Sequence, residues 1–492
     1  MTGSATRGLT VVAARESGEN ALVKVTLLGH ASVLVEVDGA VCLMDPVFGD
    51  PFEEGAVMSC PRREVHVDLL PKLDLIILSH NHLDHFDIPT LARLPRDCDV
   101  VCPQDETMVY ALKALGFEKV HPTAPMTQTK IDGYEVLTTH SSVSNVIEIG
   151  VVFKDESGTF WNQVDTVLMP KTIETTKSVC GDIDLLFAMY ASQLFGFFDG
   201  KGLGFPTNTH QMNLANIRAI APRLVVPGSA GFRFAEPFAW CNSFLFPVSR
   251  ERFLADLSAV APGVPSTVAD PGDVFEIGGG RVVRHAAASS YATMIEDDSR
   301  LLDYDATAEV PPLTDPNPDG YSEQAIDHEV EGCLRGFSRF VEDAYATPDP
   351  IYEEYRALSA TYALIVVFPD GHERWIRIVC GRALPSIESG SGAAPASAAA
   401  HRIAASALTA WCRNEKSYFY YRGFSRRTST LCAVSLVDEG VVVEPKTPTD
   451  LLTHYLTRKA PGAALGMKTL LDFKLKQVIG RPRPANGRGR AV

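Results

Sequence analysis

Residues 73–87 read LDLIILSHNHLDHFD, a short apolar run that leads directly into a cluster of histidines. The apolar part predicts a buried strand, because runs of this length are typical of strands covered on both faces. The polar part has the spacing His80-x-His82-x-Asp84-His85. A loop at a strand end can thus present imidazoles and a carboxylate to two adjacent cations, and such ligands suit zinc, iron or manganese. The strand before it disfavours the alternative, a histidine-rich surface loop.

Strands, turns and helices are predicted on both sides of this loop. Residues 23–45 predict three strands with a hairpin turn at Asp38-Gly39. Strand, turn and helix patterns then alternate to about residue 285, as in an α/β layered domain. Farther on, Asp370-Gly371 predicts a hairpin turn, and the small residues of 386–400 predict a low-complexity loop.

The chain is expected to contain two folded domains. An acidic, proline-rich stretch predicts the linker between them. The predicted segments are an N-terminal tail at 1–20, a first, catalytic domain at 21–290, the linker at 291–322, a smaller C-terminal α+β domain at 323–457, and a basic helix and tail at 458–492.

Composition excludes several classes of protein. No apolar run approaches the roughly 20 residues of a membrane-spanning helix. The formal net charge of -15 argues against binding to nucleic acid, whose phosphates the surface would repel. No secretory signal is visible at the N-terminus and the ten cysteines are scattered, so a cytoplasmic location is expected.

These motifs resemble those of the metallo-β-lactamase superfamily over about residues 22–235. The branch of L-ascorbate-6-phosphate lactonase and N-acylphosphatidylethanolamine phospholipase D is similar at Gly29-His30-Ala31-Ser32, at Asp45-Pro46 and in the histidine loop. The resemblance implies an αββα sandwich holding one or two divalent metal ions, with zinc favoured over iron or manganese. His30 also lies near the predicted metal face, so it could take part in the metal site. A hydrogen-bonding role for this histidine is an equal alternative.

The resemblance also implies roles for individual residues. Asp45 would orient the histidine loop through hydrogen bonds without binding metal itself. Asp165 would bridge the metals, although Val164 stands where the family has glycine, and Asp182 and Asp184 compete for the role. The implied metal ligands are His80, His82 and His140 for the first ion, Asp84 and His85 for the second, and Asp165 between them.

One expected ligand is missing. The family places a final histidine of the second metal position after a late strand, and here the matching residue is Ser229 or its neighbour. His210 could compensate, or it could act on substrate as a catalytic residue beside Asp84. Three alternatives stay open: a single metal at the first position, a weaker second position completed by water or His210, or a dinuclear site with different ligands.

Two weaker resemblances concern other regions. Gly204-Phe205-Pro206 and residues 221–232 are similar to the non-Rieske part of CMP-N-acetylneuraminate hydroxylase. The second domain resembles a sterol-carrier-like fold in the order of its elements. The basic, amphipathic residues 467–479 predict a helix that packs on the second domain, with a weak membrane-surface or lipid contact as the alternative.

Three functions are therefore considered. The first is a metallohydrolase that cleaves a small phosphodiester, lactone or amide with metal-activated hydroxide. The second is a diiron oxygenase of a biosynthetic pathway, which would need a reductase partner. The third is a binding protein with a decayed site, which the intact histidine loop disfavours. The expected partner is a small-molecule substrate, and a homodimer is left open.

Overall fold

The fold is described from a computed structural model. It describes residues 22–131, 134–143, 146–200, 204–345, 350–381, 384–416, 418–437, 440–445, 448–459 and 463–479. The predicted N-terminal tail and the last residues of the predicted C-terminal tail lie outside this described part.

Strands dominate the first three hundred residues. The strands are β1 (Val23–Gly29), β2 (Ser32–Val37), β3 (Ala40–Met44), β4 (Val57–Ser59), β5 (Arg62–Val65), β6 (Leu75–Ile77), β7 (Asp99–Pro103), β8 (Val120–Thr123), β9 (Gln128–Ile131), β10 (Tyr134–His140), β11 (Ile149–Lys154), β12 (Thr159–Asn162), β13 (Leu185–Met189), β14 (Leu224–Gly228), β15 (Phe232–Phe234), β16 (Val274–Gly278), β17 (Arg281–His285) and β18 (Ala292–Glu296). The helices are α1 (Ile88–Leu91), α2 (Glu106–Ala114), α3 (Pro170–Cys180), α4 (Thr207–Ile220), α5 (Asn242–Leu245) and α6 (Arg250–Val260).

Two sheets pack face to face in this region. One has the strand order β17-β16-β1-β2-β3-β6-β7-β8, and the other has the order β14-β13-β12-β11-β10-β9. Val25, Ile77, Val151 and Phe187 are among the side chains buried between them. The sheets therefore form the two inner layers of a sandwich.

Helices cover the outer faces of both sheets. Apolar residues of α3, α4 and α6 pack on the second sheet, including Ile173, Ile217 and Phe253. Those of α1 and α2 pack on the first sheet, including Leu91 and Met108. This is the predicted αββα sandwich.

Later elements form a second, smaller region. They are α7 (Glu323–Tyr345), α8 (Pro350–Ala357), β19 (Thr361–Val367), β20 (Glu373–Cys380), β21 (Pro385–Ser391), β22 (Ala399–Ala404), α9 (Ala405–Arg413), α10 (Tyr418–Gly423), β23 (Ser425–Ser429), β24 (Cys432–Val437), β25 (Gly440–Pro445), α11 (Leu451–Lys459) and α12 (Ala463–Val478).

The second region is an α+β unit around a five-stranded sheet of order β21-β20-β19-β22-β23. The hairpin predicted at Asp370-Gly371 joins β19 to β20. The low-complexity loop predicted at 386–400 is wrong: its first residues form β21, which pairs antiparallel with β20. Backbone hydrogen bonding to a neighbouring strand outweighs the weak strand propensity of Ser and Gly.

The two regions share a continuous apolar core. Phe232 and Phe234 of β15 belong to the same buried cluster as Phe337 of α7 and Leu364 of β19. Buried Asp315, in the predicted linker, accepts hydrogen bonds from the backbone N–H and the hydroxyl of Ser406 in α9. The second region is therefore packed firmly against the first.

Helix α12 packs on the first region, whereas the sequence predicted packing on the second. Its Leu470, Leu471 and Leu475 belong to the buried cluster that includes Leu83 and Phe86 of the histidine loop. An amphipathic stripe predicts that a helix is packed but does not identify the surface that covers it. Within the described part of the chain, no helix has the length and apolar character needed to cross a membrane.

A buried ion pair joins α12 to the loop before β4. Lys474 Nζ contacts a carboxylate oxygen of Glu54, and both side chains are almost completely buried. We expect Lys474→Met to lower the stability by about 3 kcal/mol, because Glu54 would lose its charged partner while staying buried. The thermal midpoint measures this loss.

The exposed Lys476 of the same helix provides the control, Lys476→Met, which should leave the midpoint nearly unchanged. The double variant Lys474→Met/Glu54→Gln should recover part of the loss, since it removes the buried charge of Glu54 as well. Equal midpoints for the wild type and Lys474→Met would contradict the assignment.

Candidate metal centre

Asp45, which follows β3, fixes the histidine loop that follows β6. Its Oδ1 accepts the backbone N–H of Ser79 at 2.7 Å, and its Oδ2 accepts the Ser79 hydroxyl at 2.6 Å. The same Oδ2 lies 2.9 Å from Nδ1 of His85. Because a carboxylate only accepts, Nδ1 of His85 carries the hydrogen, and in the neutral ring Nε2 keeps the lone pair for the site. Asp45 thus has the contacts that the sequence predicted for it.

A first group of ligand atoms comprises His80, His85 and Asp165, whose atoms lie within 4.8 Å of one another. His85 Nε2 is 3.3 Å from Asp165 Oδ2. Exposed His82 joins the group through its Nδ1, which lies 2.9 Å from Nε2 of His80. Four of the predicted ligands are therefore adjacent.

A second group comprises His30, Asp84 and His85, again with ligand atoms within 4.8 Å of one another. His30 Nε2 and His85 Nε2 lie 3.3 Å and 3.6 Å from Asp84 Oδ2. All three residues are buried. The two groups share His85, so they form one continuous centre.

Burial and mutual charge set the protonation of this centre. Burial, together with the neighbouring His85 and His82, holds the pKa of His80 well below its usual value. Burial alone would raise the pKa of Asp165, but the neighbouring His85 outweighs it and lowers the pKa to about 2. Burial alone would lower the pKa of His85, but the neighbouring Asp84 and Asp165 outweigh it and raise the pKa well above its usual value. Near neutral pH His80 is therefore a neutral imidazole and Asp165 an ionised carboxylate, the forms in which these groups bind metal, whereas His85 would have to lose a proton for a cation to bind it.

The residues fit a divalent cation. Nε2 of His85 is buried and has no hydrogen-bond partner among the described residues. A buried polar atom without a partner is costly, and a cation near this nitrogen would satisfy it. Imidazole nitrogens and carboxylate oxygens at this spacing are also the usual ligands of zinc and other divalent transition metals.

His140 does not join either group among the described residues. It is the last residue of β10 and its side chain is exposed. Its backbone pairs with Ile149, whose N–H donates to the Ser79 carbonyl at 3.1 Å. His140 therefore lies beside the centre in the sheet, but its predicted role as a ligand stays a prediction.

His210 also lies outside both groups. It is buried on α4, and its Nε2 lies 2.9 Å from Asp256 Oδ2 on α6. Its ring packs edge-on against Phe205, with centroids 5.5 Å apart. The contacts of His210 are thus with the outer helical layer, and its predicted catalytic role stays a prediction.

The structure separates the candidates for the bridging carboxylate. Asp182 is exposed, and Asp184 accepts the backbone N–H of Thr159 at 2.9 Å and pairs with Arg223. Of the three aspartates, Asp165 is the one that lies in a ligand group.

Val164 stands where the resemblance places a glycine, immediately before this aspartate. Its φ is +54°, in the left-handed region that β-branched residues rarely adopt. Its side chain is buried between the two sheets. The backbone turn that presents Asp165 therefore has a φ that glycine would adopt at lower cost than valine.

Glu148 is a buried carboxyl group near the centre that sequence reasoning missed. It accepts the Ser141 hydroxyl at 2.7 Å, and burial raises its pKa to about 7. The charges of Asp165 and His85 also act on it. No local pattern could have identified it, because a single glutamate before a strand becomes notable only through tertiary burial.

Comparison with known families identifies this architecture. A family model described as "Beta-lactamase superfamily domain" matches residues 42–194, which include Asp45, the histidine loop and Asp165. This segment belongs to the metallo-β-lactamase superfamily. The predicted family is thereby confirmed, and the sandwich described above is its fold.

Two named relatives are similar to part of this chain. N-acyl-phosphatidylethanolamine-hydrolyzing phospholipase D 1 of Caenorhabditis elegans is 36% identical over 73 residues, 14% of this chain and 20% of that protein. A UPF0173 metal-dependent hydrolase of Pyrococcus furiosus is 29% identical over 172 residues, 33% of this chain and 70% of that protein.

Two further comparisons concern an uncharacterised protein and a solved structure. An uncharacterised protein of Mycobacterium tuberculosis is 35% identical over 80 residues, and the chain covers 22% of its length. Among solved structures, CmlA, a diiron β-hydroxylase from Streptomyces venezuelae, is 18% identical with a TM-score of 0.36, covering 53% of this chain and 55% of that one.

Proposed function

We propose that the chain is a metal-dependent hydrolase acting on a small phosphodiester, lactone or amide. The observation that carries the proposal is the pair of ligand groups that share His85, with donor atoms within 4.8 Å of one another. Membership of residues 42–194 in the metallo-β-lactamase superfamily supports it. So does the name of the Pyrococcus furiosus relative, a metal-dependent hydrolase.

The residues that would hold metal are His80, His82, His85, Asp84 and Asp165. A divalent ion bound there acts as a Lewis acid and makes water a better nucleophile near neutral pH. Zinc is the favoured ion, with iron and manganese as alternatives, because the donors are imidazole and carboxylate.

Asp84 has a second proposed role, as a proton acceptor. Burial alone would raise its pKa, but the neighbouring His85 and His30 lower it below its usual range. A pKa this low makes the ionised carboxylate a weak base, so the proposed role rests on its place beside His85, whose Nε2 is 3.6 Å from Asp84 Oδ2, and not on the pKa. His210 is proposed to protonate the leaving group, which would require substrate to reach α4.

The test compares turnover and metal content in the wild type and His80→Ala. We expect the wild type to hold divalent metal and to hydrolyse at least one member of a panel of p-nitrophenyl phosphodiesters, lactones and chromogenic amides. His80→Ala should lower both metal affinity and turnover about 100-fold or more, because it removes a buried ligand.

The control is His285→Ala, since His285 lies on the edge strand β17 and pairs with the surface residue Glu276. It should behave like the wild type. Metal-loaded protein that turns over none of the panel would refute the hydrolase. Iron-dependent oxygen uptake with a chemical reductant would instead support the diiron oxygenase.

A further inference from the structure

The second metal position lacks the histidine that its family pattern requires. By the resemblance, Ser229 or its neighbour is the matching residue, and Ser229 lies directly after β14. Its side chain is buried, and its hydroxyl has no hydrogen-bond partner among the described residues. A neutral hydroxyl is a poor substitute for an imidazole toward zinc or iron. If a second ion binds, another donor is needed.

His30 lies close to Ser229 in space although the two residues are far apart in sequence. It lies in the turn between β1 and β2, and 1% of its side chain is exposed. His30 and Ser229 line one small cavity of about 30 Å³, which can hold little more than a water molecule. A histidine side chain at position 229 would therefore lie next to the imidazole of His30.

Neither ring nitrogen of His30 has a hydrogen-bond partner among the described residues. Its Nε2 nevertheless lies 3.3 Å from Asp84 Oδ2, and its ring centroid lies 5.2 Å from that of His85. The rings of Phe52 and Phe232 pack against it. A buried ring nitrogen normally has a hydrogen-bond partner, whereas Nδ1 of His30 has none among the described residues and Nε2 faces the carboxylate of the predicted ligand Asp84 without a well-aligned hydrogen bond.

The backbone that carries His30 is held closely in place. Gly29 has a φ of +118°, and a Cβ there would lie 2.4 Å from the Arg63 side chain. On the other side, a Cβ on Gly231 would lie 3.0 Å from the Cα of His30. Two glycines therefore permit close packing around this turn, which limits the positions that the His30 ring can take.

We propose that His30 takes the place of the histidine missing at position 229 and, with Asp84 and His85, binds the second of two divalent metal ions. The inference rests on the proposed function, because it assumes that the centre binds metal. It selects the dinuclear alternative with changed ligands from the three that the sequence left open. His210, which is paired with Asp256 on α6, is not needed for it.

Zinc titration of metal-free protein tests the proposal, with bound metal counted by elemental analysis. The wild type should bind two ions. His30→Ala should bind the first normally and the second at least about tenfold more weakly. The d–d absorption of the cobalt-substituted wild type should change with the second equivalent, and His30→Ala should lose that change.

The matched control is Ser229→Ala, which removes the unpartnered hydroxyl from the same cavity and should leave both affinities unchanged. His30→Gln provides a variant of similar volume in case His30→Ala does not fold. The wild type also gives an independent result, since anomalous scattering from zinc-soaked crystals should place one ion about 2.0–2.1 Å from a ring nitrogen of His30.

The proposal would be overturned by a wild type that binds one ion, or by a His30 variant that binds both as tightly as the wild type. A second ion located away from His30 would do the same. None of these results contradicts the proposed hydrolase function, because the substrate panel tests hydrolysis separately. Protein that binds no divalent metal at all would overturn both.

Discussion

Replacing Asp45 with asparagine is expected to weaken metal binding by about 10- to 100-fold, although Asp45 itself is not a proposed ligand. The carboxylate accepts from the Ser79 hydroxyl and faces Nδ1 of His85 at 2.9 Å. An amide nitrogen in that place would donate to Nδ1, so Nε2 would carry the hydrogen and lose its lone pair. The other amide orientation would set its NH2 against the backbone N–H of Ser79.

Competition with a chromophoric chelator measures this loss. Asp74→Asn is the control, because Asp74 also accepts a backbone N–H, that of Val41 at 3.0 Å, but lies at the opposite end of β6. It should retain the wild-type affinity. Unchanged affinity in Asp45→Asn would show that the orientation of His85 does not depend on this carboxylate.

Replacing Asp450 with asparagine is expected to lower the stability of the second region by about 3–5 kcal/mol. The buried carboxylate contacts His401 Nδ1 at 2.9 Å and accepts the hydroxyl of Tyr362 at 2.7 Å. It also accepts the backbone N–H of Thr453 at 2.8 Å, in the first turn of α11. The variant leaves His401 and Tyr362 buried without the negative charge that they contact, and it weakens the start of α11.

This effect should depend on pH in a defined direction. Burial alone would raise the pKa of Asp450, but His401 and Arg427 outweigh it and lower the pKa below its usual value. A carboxyl whose pKa is lower in the folded state stabilises above the unfolded pKa of about 3.9 and loses that contribution as the pH falls further. The gap between wild type and Asp450→Asn should therefore be largest near neutral pH and narrow below about pH 4.

Thermal unfolding with chelator present measures the gap and excludes any effect of metal. At neutral pH the midpoint should fall by at least about 5 °C. Asp370→Asn is the control, since Asp370 is an exposed turn residue whose pairing with His372 contributes little. A difference in midpoint between wild type and Asp450→Asn that stayed constant down to pH 3 would contradict the lowered pKa of Asp450.

The sequence predicted best what depends on short-range patterns. The strands of 23–45 and the histidine loop after a buried strand follow from alternation, turn residues and motif spacing. Asp165 is one of three aspartates that the family resemblance leaves as candidates, and the structure is needed to place it in a ligand group. Residues close together in sequence are also close in space, so the loop that presents His80 to His85 could be recognised without a structure.

The rest depends on long-range packing. The resemblance places His30 near the metal face without deciding its role, and its contact with Asp84, 54 residues later, forms only when β1 and β6 enter one sheet. In the same way, the exposure of His140 and the pairing of His210 with Asp256 follow from helix and sheet packing. A lone histidine in sequence carries no signal that separates these outcomes.

The position of α12 has a consequence for the order in which the molecule can fold. Lys474 and Glu54 are 420 residues apart in sequence, and Leu471 packs in the cluster that contains Phe86 of the histidine loop. During synthesis the first domain therefore emerges long before the helix that completes its outer face. Until then an apolar surface behind the metal-binding loop stays open to water. A fragment cut at the apparent end of the first domain would keep that surface permanently exposed and should aggregate.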